Sequence, residues 1–283
     1  CRQSYPNWEL CICDDSSSAV SVKTILRSYQ SSDPRVKLIF REKNGHICEA
    51  SNDALSLATG EYVALLDHDD ILADNALYWV ARELQKKPQA NLIYSDEDKV
   101  NDDGIRSCPH FKPAFNIDLL LSYNFISHLG VYRREILKQI GGFRVGFEGS
   151  QDHDLALRTV LESSPDQIIH IPRVLYHWRA HSGSTASNPN SKDYTTESGH
   201  RAVQHYLDEQ HRRGGIKATA RIKARNRFTC EWHIPEKPPS VELIIPTRDQ
   251  AEVLNLAVDS IITKTTYTNS TITIVDNQSV EVE

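Results

Sequence analysis

The stretch Glu61 to Asp70 constrains the fold more than any other part of the chain. Tyr62-Val63-Ala64-Leu65-Leu66 is an apolar run bounded by Gly60, too short for a helix and suited to a strand buried on both faces. It ends abruptly at Asp67-His68-Asp69-Asp70. In open α/β sheets, ligands bind outside the carboxyl ends of strands. Carboxylates crowded there repel one another unless they are solvated or share a cation, so Asp67, Asp69 and Asp70 point to a divalent metal holding phosphate oxygens. The plainer alternative is a strand-to-helix turn, with Asp67 or Asp69 capping a helix expected from about Asp74 to Lys86. One cap does not need three acids.

The same pattern recurs along the chain. Trp8 to Cys13 reads as a strand ending in Asp14-Asp15-Ser16-Ser17, which either face a ligand or cap a helix over Val20 to Ser31. Lys37 to Phe40 follows as a strand, then the Asn44-Gly45 turn and a helix from Ile47 to Ala58. This βαβ alternation predicts a parallel sheet with the acids at 14–15 and 67–70 on one edge. Asn91 to Tyr94 is expected as a strand terminated by Asp96-Glu97-Asp98, either a solvated turn or part of a site. Gly141-Gly142-Phe143 is a turn whose glycines permit close approach. Gly149 to Asp154 opens a helix in which the macrodipole favours an ionised Asp152, suiting a general base, with a helix cap as the alternative. Ile168 to Pro172 is expected as an edge strand. The run Leu175 to His181 holds two histidines and Arg179, able to bind metal and phosphate or to serve structure. A polar, lid-like loop over Ser182 to Ser191, a helix over Thr195 to Arg212, a basic strip over Lys217 to Arg227 and a linker over Pro235 to Pro239 complete the reading.

Composition narrows the function. A formal net charge of -6 argues against a broad nucleic-acid surface, and an anionic substrate would need local cations. No run approaches the roughly 18 apolar residues of a membrane span. The six cysteines are scattered, without zinc-type spacing, which fits reduced thiols and a cytosolic compartment. Methionine is absent and Cys1 falls within what reads as an element, so a piece of a longer protein is expected.

An internal repeat supports that expectation. Set against Tyr5 to Ser17, the segment Tyr267 to Ser279 repeats Tyr, Asn, the first Asp of the acid turn and the final Ser on the same strand pattern. The second copy adds a strand Val241 to Ile245 with Pro246-Thr247-Arg248 and a following helix. Loop-closure entropy favours local pairing of 241–245 with 272–275, leaving strand 9–13 short of one neighbour.

Taken together, the strand with Pro246-Thr247, the strand ending in Asp14-Asp15, Gly60-Glu61-Tyr62-Val63 running into Leu66-Asp67-x-Asp69-Asp70, Gly141-Gly142-Phe143 and Gln151-Asp152 resemble the family-two inverting glycosyltransferases. Tyr94-Ser95-Asp96-Glu97-Asp98, Phe111-Lys112-Pro113 and Tyr176-His177-Trp178-Arg179 resemble the bacterial multidomain members that build O-antigen and other surface polysaccharides. The resemblance implies an α/β GT-A fold, a Rossmann-like, mostly parallel sheet flanked by helices. Residues 1–186 would be a transferase domain lacking its first strand and helix, 187–239 a helix, basic strand and linker, and 240–283 the start of a second GT-A domain.

By similarity, Asp14, Asp15, Asp67 and Arg179 would contact a nucleotide-sugar donor. Asp69, Asp67 and His177 would hold Mg²⁺ or Mn²⁺, with Asp69 the first choice and His181 the rival to His177. Asp152 would deprotonate the acceptor, and Asp96, Glu97 and Gly142 would lie on the acceptor side. The family often has Glu where this chain has Gln151. The partners implied are a nucleotide-sugar and a saccharide or lipid-linked saccharide, without nucleic acid. The location implied is cytoplasmic, with peripheral association at the inner membrane face open to the full-length protein. Two other readings stay open: an aspartate-nucleophile phosphatase using Asp67 and Asp69, and a non-catalytic carbohydrate-binding relic.

Overall fold

The computed structural model describes residues 2–180 and 193–280. These fall into two compact units divided between Trp232 and His233.

In the first unit, β1 (Leu10–Asp14), α1 (Val20–Ser32), β2 (Val36–Phe40) and α2 (His46–Ser56) lead to β3 (Tyr62–Ala64), β4 (Ile71–Leu72) and α3 (Ala76–Lys86). Next come β5 (Leu92–Val100), β6 (Arg106–His110), α4 (Ile117–Ser122), β7 (Gly130–Arg133), α5 (Arg134–Gln139) and α6 (Gln151–Leu161). The unit closes with β8 (Ile168–Arg179), α7 (Asp193–Arg212), β9 (Ala218–Ala224) and β10 (Arg227–Trp232). Among the described residues the main sheet has six strands in the order β3-β7-β5-β8-β4, with β6 on β5. It is mixed rather than mostly parallel. β5 and β8 run parallel, while β7 reverses against both β3 and β5, and β4 against β8. The short β7 enters from α4 and leaves straight into α5, so it needs no parallel crossover. β1 and β2 pair in parallel as a separate two-stranded sheet.

The core follows the period of two along β5. Leu92 and Tyr94 face one apolar cluster with Leu120, Leu155 and Val203, and Ile93 faces the other with Val131, Ile171 and Leu175. Two sequence expectations change here. β5 continues through Asp96-Glu97-Asp98 to Val100, because β8 flanks it through most of that length and every acid finds a partner. β8 is a central strand running through Pro172 to Arg179, and its register on β5 shifts beside that proline. The segment 193–232 also belongs to the first unit: Val203, Leu207, Ala218, Ala220 and Phe228 lie in its main core.

The second unit contains β11 (Val241–Thr247), α8 (Ala251–Lys264) and β12 (Ser270–Asp276). β11 pairs with β12 in parallel, the local pairing that loop entropy favours. The repeat extends to the turn chemistry. The Asp14 carboxylate accepts from the Ser17 N–H at 3.3 Å, and the Asp276 carboxylate from the Ser279 N–H at 3.2 Å.

Candidate active site

The Asp67–Asp70 turn between β3 and β4 is fixed by the end of β8. One Asp70 carboxylate oxygen accepts the Tyr176 hydroxyl at 2.5 Å and the other accepts the Arg179 N–H at 2.7 Å. The Tyr176 oxygen in turn accepts the Asp67 N–H at 3.2 Å, and Arg179 Nε donates to the Asp69 carbonyl at 2.7 Å. Neither Asp67 nor Asp69 caps the next helix, whose N-cap is Asn75. The acids are therefore held as a turn of their own.

His128 comes to the same place on the loop between α4 and β7. Its ring stacks on Tyr176 at 4.5 Å between centroids and meets the edge of Trp178. Ligand atoms of Asp67, Asp70 and His128 lie within 4.8 Å of one another. Asp67 opens to solvent on one side, yet its surroundings raise its carboxyl above the usual range. Desolvation does most, the charges of Asp70, Asp152 and Asp69 add to it, and His128 opposes it. Two carboxylates and an imidazole converging where negative charge is poorly compensated fit a divalent cation.

Asp152 stands in the first turn of α6, half-buried, its carboxylate accepting from the Asn124 amide at 2.8 Å. Its charge raises Asp67, which relates the helix N-terminus to the acidic turn. Asp154, two residues on, is not available for chemistry: it is 1 % exposed and ion-paired with Arg144 and Arg158.

Other sequence candidates are distributed differently. Arg179 is brought to the acidic turn. Asp69 lies there too, but its ligand atoms fall outside the group of three, with its carboxylate 3.9 Å from His68 Nδ1. His177 is turned away. Tyr176 and Trp178 face His128, so the alternation of the strand sends His177 to the opposite face, where Nδ1 meets the Asp98 carboxylate at 2.5 Å. Its rival His181 lies outside the described residues, as does the lid-like loop of 182–191.

Asp96 and Glu97 do not line an open acceptor face. Asp96 is 3 % exposed, bonded by His170 Nε2 at 2.8 Å and by the Lys112 N–H at 2.9 Å. Glu97 is bonded by the His128 N–H, His110 and Lys112. Burial alone would raise the Glu97 carboxyl, but His110, Lys112 and His128 outweigh it and hold it low. Gly142 is likewise structural. It adopts φ +65°, where a side chain would be strained, and a Cβ there would meet Asn52 Oδ1 at 2.5 Å. Asn52 brackets the turn, accepting the Phe143 N–H and donating to the Phe143 carbonyl, each at 2.8 Å. Asp14 and Asp15 form a second cluster at the end of β1. Asp15 accepts the Gly45 N–H at 2.9 Å and pairs with Arg41, which also binds Glu49 and Asp53.

Sequence reasoning gave no role to His128, Asn124 or Lys112. A lone histidine and asparagine in an apolar segment carry no spacing signal, because their partners are set by sheet order.

The fold is one that solved structures share. TarS of S. aureus, determined with UDP, superposes with TM-score 0.55 at 18% identity over 73% of this chain and 58% of that one. The architecture is accordingly the GT-A type of α/β fold. Residues 1–141 match Glycosyl transferase family 2, and through this domain the chain belongs to that family. Among curated relatives, the uncharacterized protein y4gI of Sinorhizobium fredii is 45% identical over 282 residues, covering 99% of this chain and 31% of y4gI. The O-antigen biosynthesis protein RfbC of Myxococcus xanthus is 34% identical over 281 residues, 99% of this chain and 22% of RfbC. The chain thus spans less than a third of the length of these two relatives. Among the described residues no helix is long and apolar enough to cross a membrane.

Proposed function

We propose that the chain is part of an inverting glycosyltransferase that moves a sugar from a nucleotide-sugar to a saccharide or lipid-linked saccharide in surface-polysaccharide synthesis. The observation carrying this reading is the meeting of Asp67, Asp70 and His128, all within the stretch that matches family two, in electrostatic reach of Asp152. O-antigen biosynthesis is the role in the name of RfbC, and UDP is the nucleotide bound to TarS.

In this reading Asp67, Asp70 and His128 would hold Mg²⁺ or Mn²⁺, with Asp69 beside them. Bound there, a divalent cation would supply positive charge to the diphosphate leaving group. Arg179, anchored on the acidic turn, would add a guanidinium facing the same anion. Asp152, kept in place by Asn124, accepts the proton of the acceptor hydroxyl as that oxygen attacks the anomeric carbon. Asp14 and Asp15, with Arg41 between them and α2, would contact the nucleoside. The single displacement inverts the anomeric centre. The corresponding location is cytoplasmic, at the inner membrane face, where a lipid-linked acceptor is presented.

The phosphatase alternative loses its ground with the family match, and retention of Asp152 disfavours a non-catalytic relic. Incubating the full-length protein with a panel of nucleotide-sugars and Mn²⁺ and measuring nucleoside diphosphate release tests the reading. Release confined to one donor and dependent on metal supports it. Hydrolysis of p-nitrophenyl phosphate without such release would overturn it.

A further inference from the structure

The loop 124–129 joins the two halves of the site, and a buried ammonium lies beneath it. Lys112 has a fully buried side chain. Its Nζ donates to the Ile126 carbonyl at 2.7 Å and to the His128 carbonyl, and approaches Glu97 at 3.5 Å. Glu97 in turn accepts the His128 N–H at 3.1 Å. The peptide unit on each side of His128 is thus tied to one ion pair. At the near end of the loop, Asn124 Oδ1 accepts the Ser127 N–H at 3.2 Å while its amide donates to Asp152 at 2.8 Å. At the far end the His128 ring lies beside Asp67 and Asp70.

We propose that Lys112 is a positioning residue whose grip on this loop sets Asn124 against Asp152 and His128 against the acidic turn, so that base and cation site are aligned by one buried contact. The inference rests on the glycosyltransferase reading above. An ammonium with three donors matches the two carbonyls and one carboxylate around it, and a desolvated ion pair that loses one partner leaves the other uncompensated. The loop would then relax to find other donors, moving His128 and Asn124 together. A shift of about 1 Å at either is enough to disturb ligation or proton transfer.

The test uses Mn²⁺ alone as the probe, with affinity read by electron paramagnetic resonance on the full-length protein. Lys112→Met is expected to weaken Mn²⁺ binding about tenfold, the scale of lost outer-shell support. It should also raise amide exchange at Ser127 and His128. Asn124→Ala, which removes the donor to Asp152 and the acceptor of the Ser127 N–H but leaves the Lys112 contacts to the Ile126 and His128 carbonyls in place, should weaken Mn²⁺ binding less than Lys112→Met and lower turnover with little change in donor KM. Val203→Ala, a core truncation in α7, controls for general loosening and should leave Mn²⁺ affinity unchanged. If Lys112→Met does not fold, the double variant Glu97→Gln/Lys112→Met, which leaves no charge unpaired, carries the same expectation. A folded Lys112 variant with wild-type Mn²⁺ affinity would overturn the inference while leaving the transferase reading intact. A wild-type protein that binds no Mn²⁺ overturns the metal part of that reading, and this inference with it.

Discussion

At the residue scale, the acids of this chain divide by what surrounds them, a division their sequence context hides. Asp96, Glu97, Asp98 and Asp154 are buried and fully engaged with histidine, lysine or arginine. Asp67 is instead pushed toward protonation, by desolvation first and then by the charges of Asp70, Asp152 and Asp69. Asp67→Ala and Asp70→Ala are each expected to weaken Mn²⁺ binding about tenfold or more in a calorimetric titration. Asp69→Ala should have the smaller effect, and the reverse order would restore Asp69 as the principal ligand. Asp152→Asn should lower turnover by a factor on the order of 10² with donor affinity nearly unchanged. Near wild-type transfer by that variant would place the base elsewhere, though not at Asp154 or Asp96, whose carboxylates are already committed.

At the element scale, stability rests on contacts that cross between elements. Glu9, just before β1, takes the N–H groups of Thr59 and Gly60 at 2.5 and 2.8 Å and pairs with Lys37, tying β1 to the approach of β3. Burial alone would raise its carboxyl. The Lys37 contact and the two N–H donors outweigh this and hold it at about 2, below the ordinary 4.5. The stabilisation is therefore complete above pH 4.5 and is lost as pH falls toward 2. Melting curves between pH 6 and 2 should show Glu9→Gln less stable than wild type at the upper end, the two converging at the lower. The hairpin of β9 and β10 reads from sequence as a solvated basic strip, and its outer face is that. Its inner face, however, places Phe228 at 3 % exposure beside His153 and His200. Phe228→Ala is expected to cost about 3–5 kcal/mol in urea unfolding, as for a core aromatic. A loss below 1 kcal/mol would show the hairpin to be peripheral.

At the scale of the whole molecule, the described residues fall into two units, and the second carries the turn at Asp276 whose Ser279 N–H contact matches that of Ser17 with Asp14. The second unit, with a βαβ order, starts at His233, and residues 233–237 are exposed. Limited proteolysis should cut first between Trp232 and Val241, leaving the hairpin with the first unit. A first cut between α7 and β9 would contradict the core assignment of Phe228.

The sequence by itself determined what local chemistry can encode. The apolar run into Asp67 demanded a strand with acids at its end, the position of Asp152 demanded a helix start, and the matched Asp-x-x-Ser turns revealed the repeat. Each is a signal carried within a dozen residues. Tertiary structure decided the partners. The acids after Tyr94 look like the acids after Leu66 until β8 and β6 flank one set and bury it. His177 and His128 look alike until strand alternation sends one to Asp98 and sheet order brings the other, from a different loop, to Asp67. Sequence patterning fixes which residues share a face of one element, but which faces meet depends on the order of strands, and that is settled only when distant segments bury their apolar surface together.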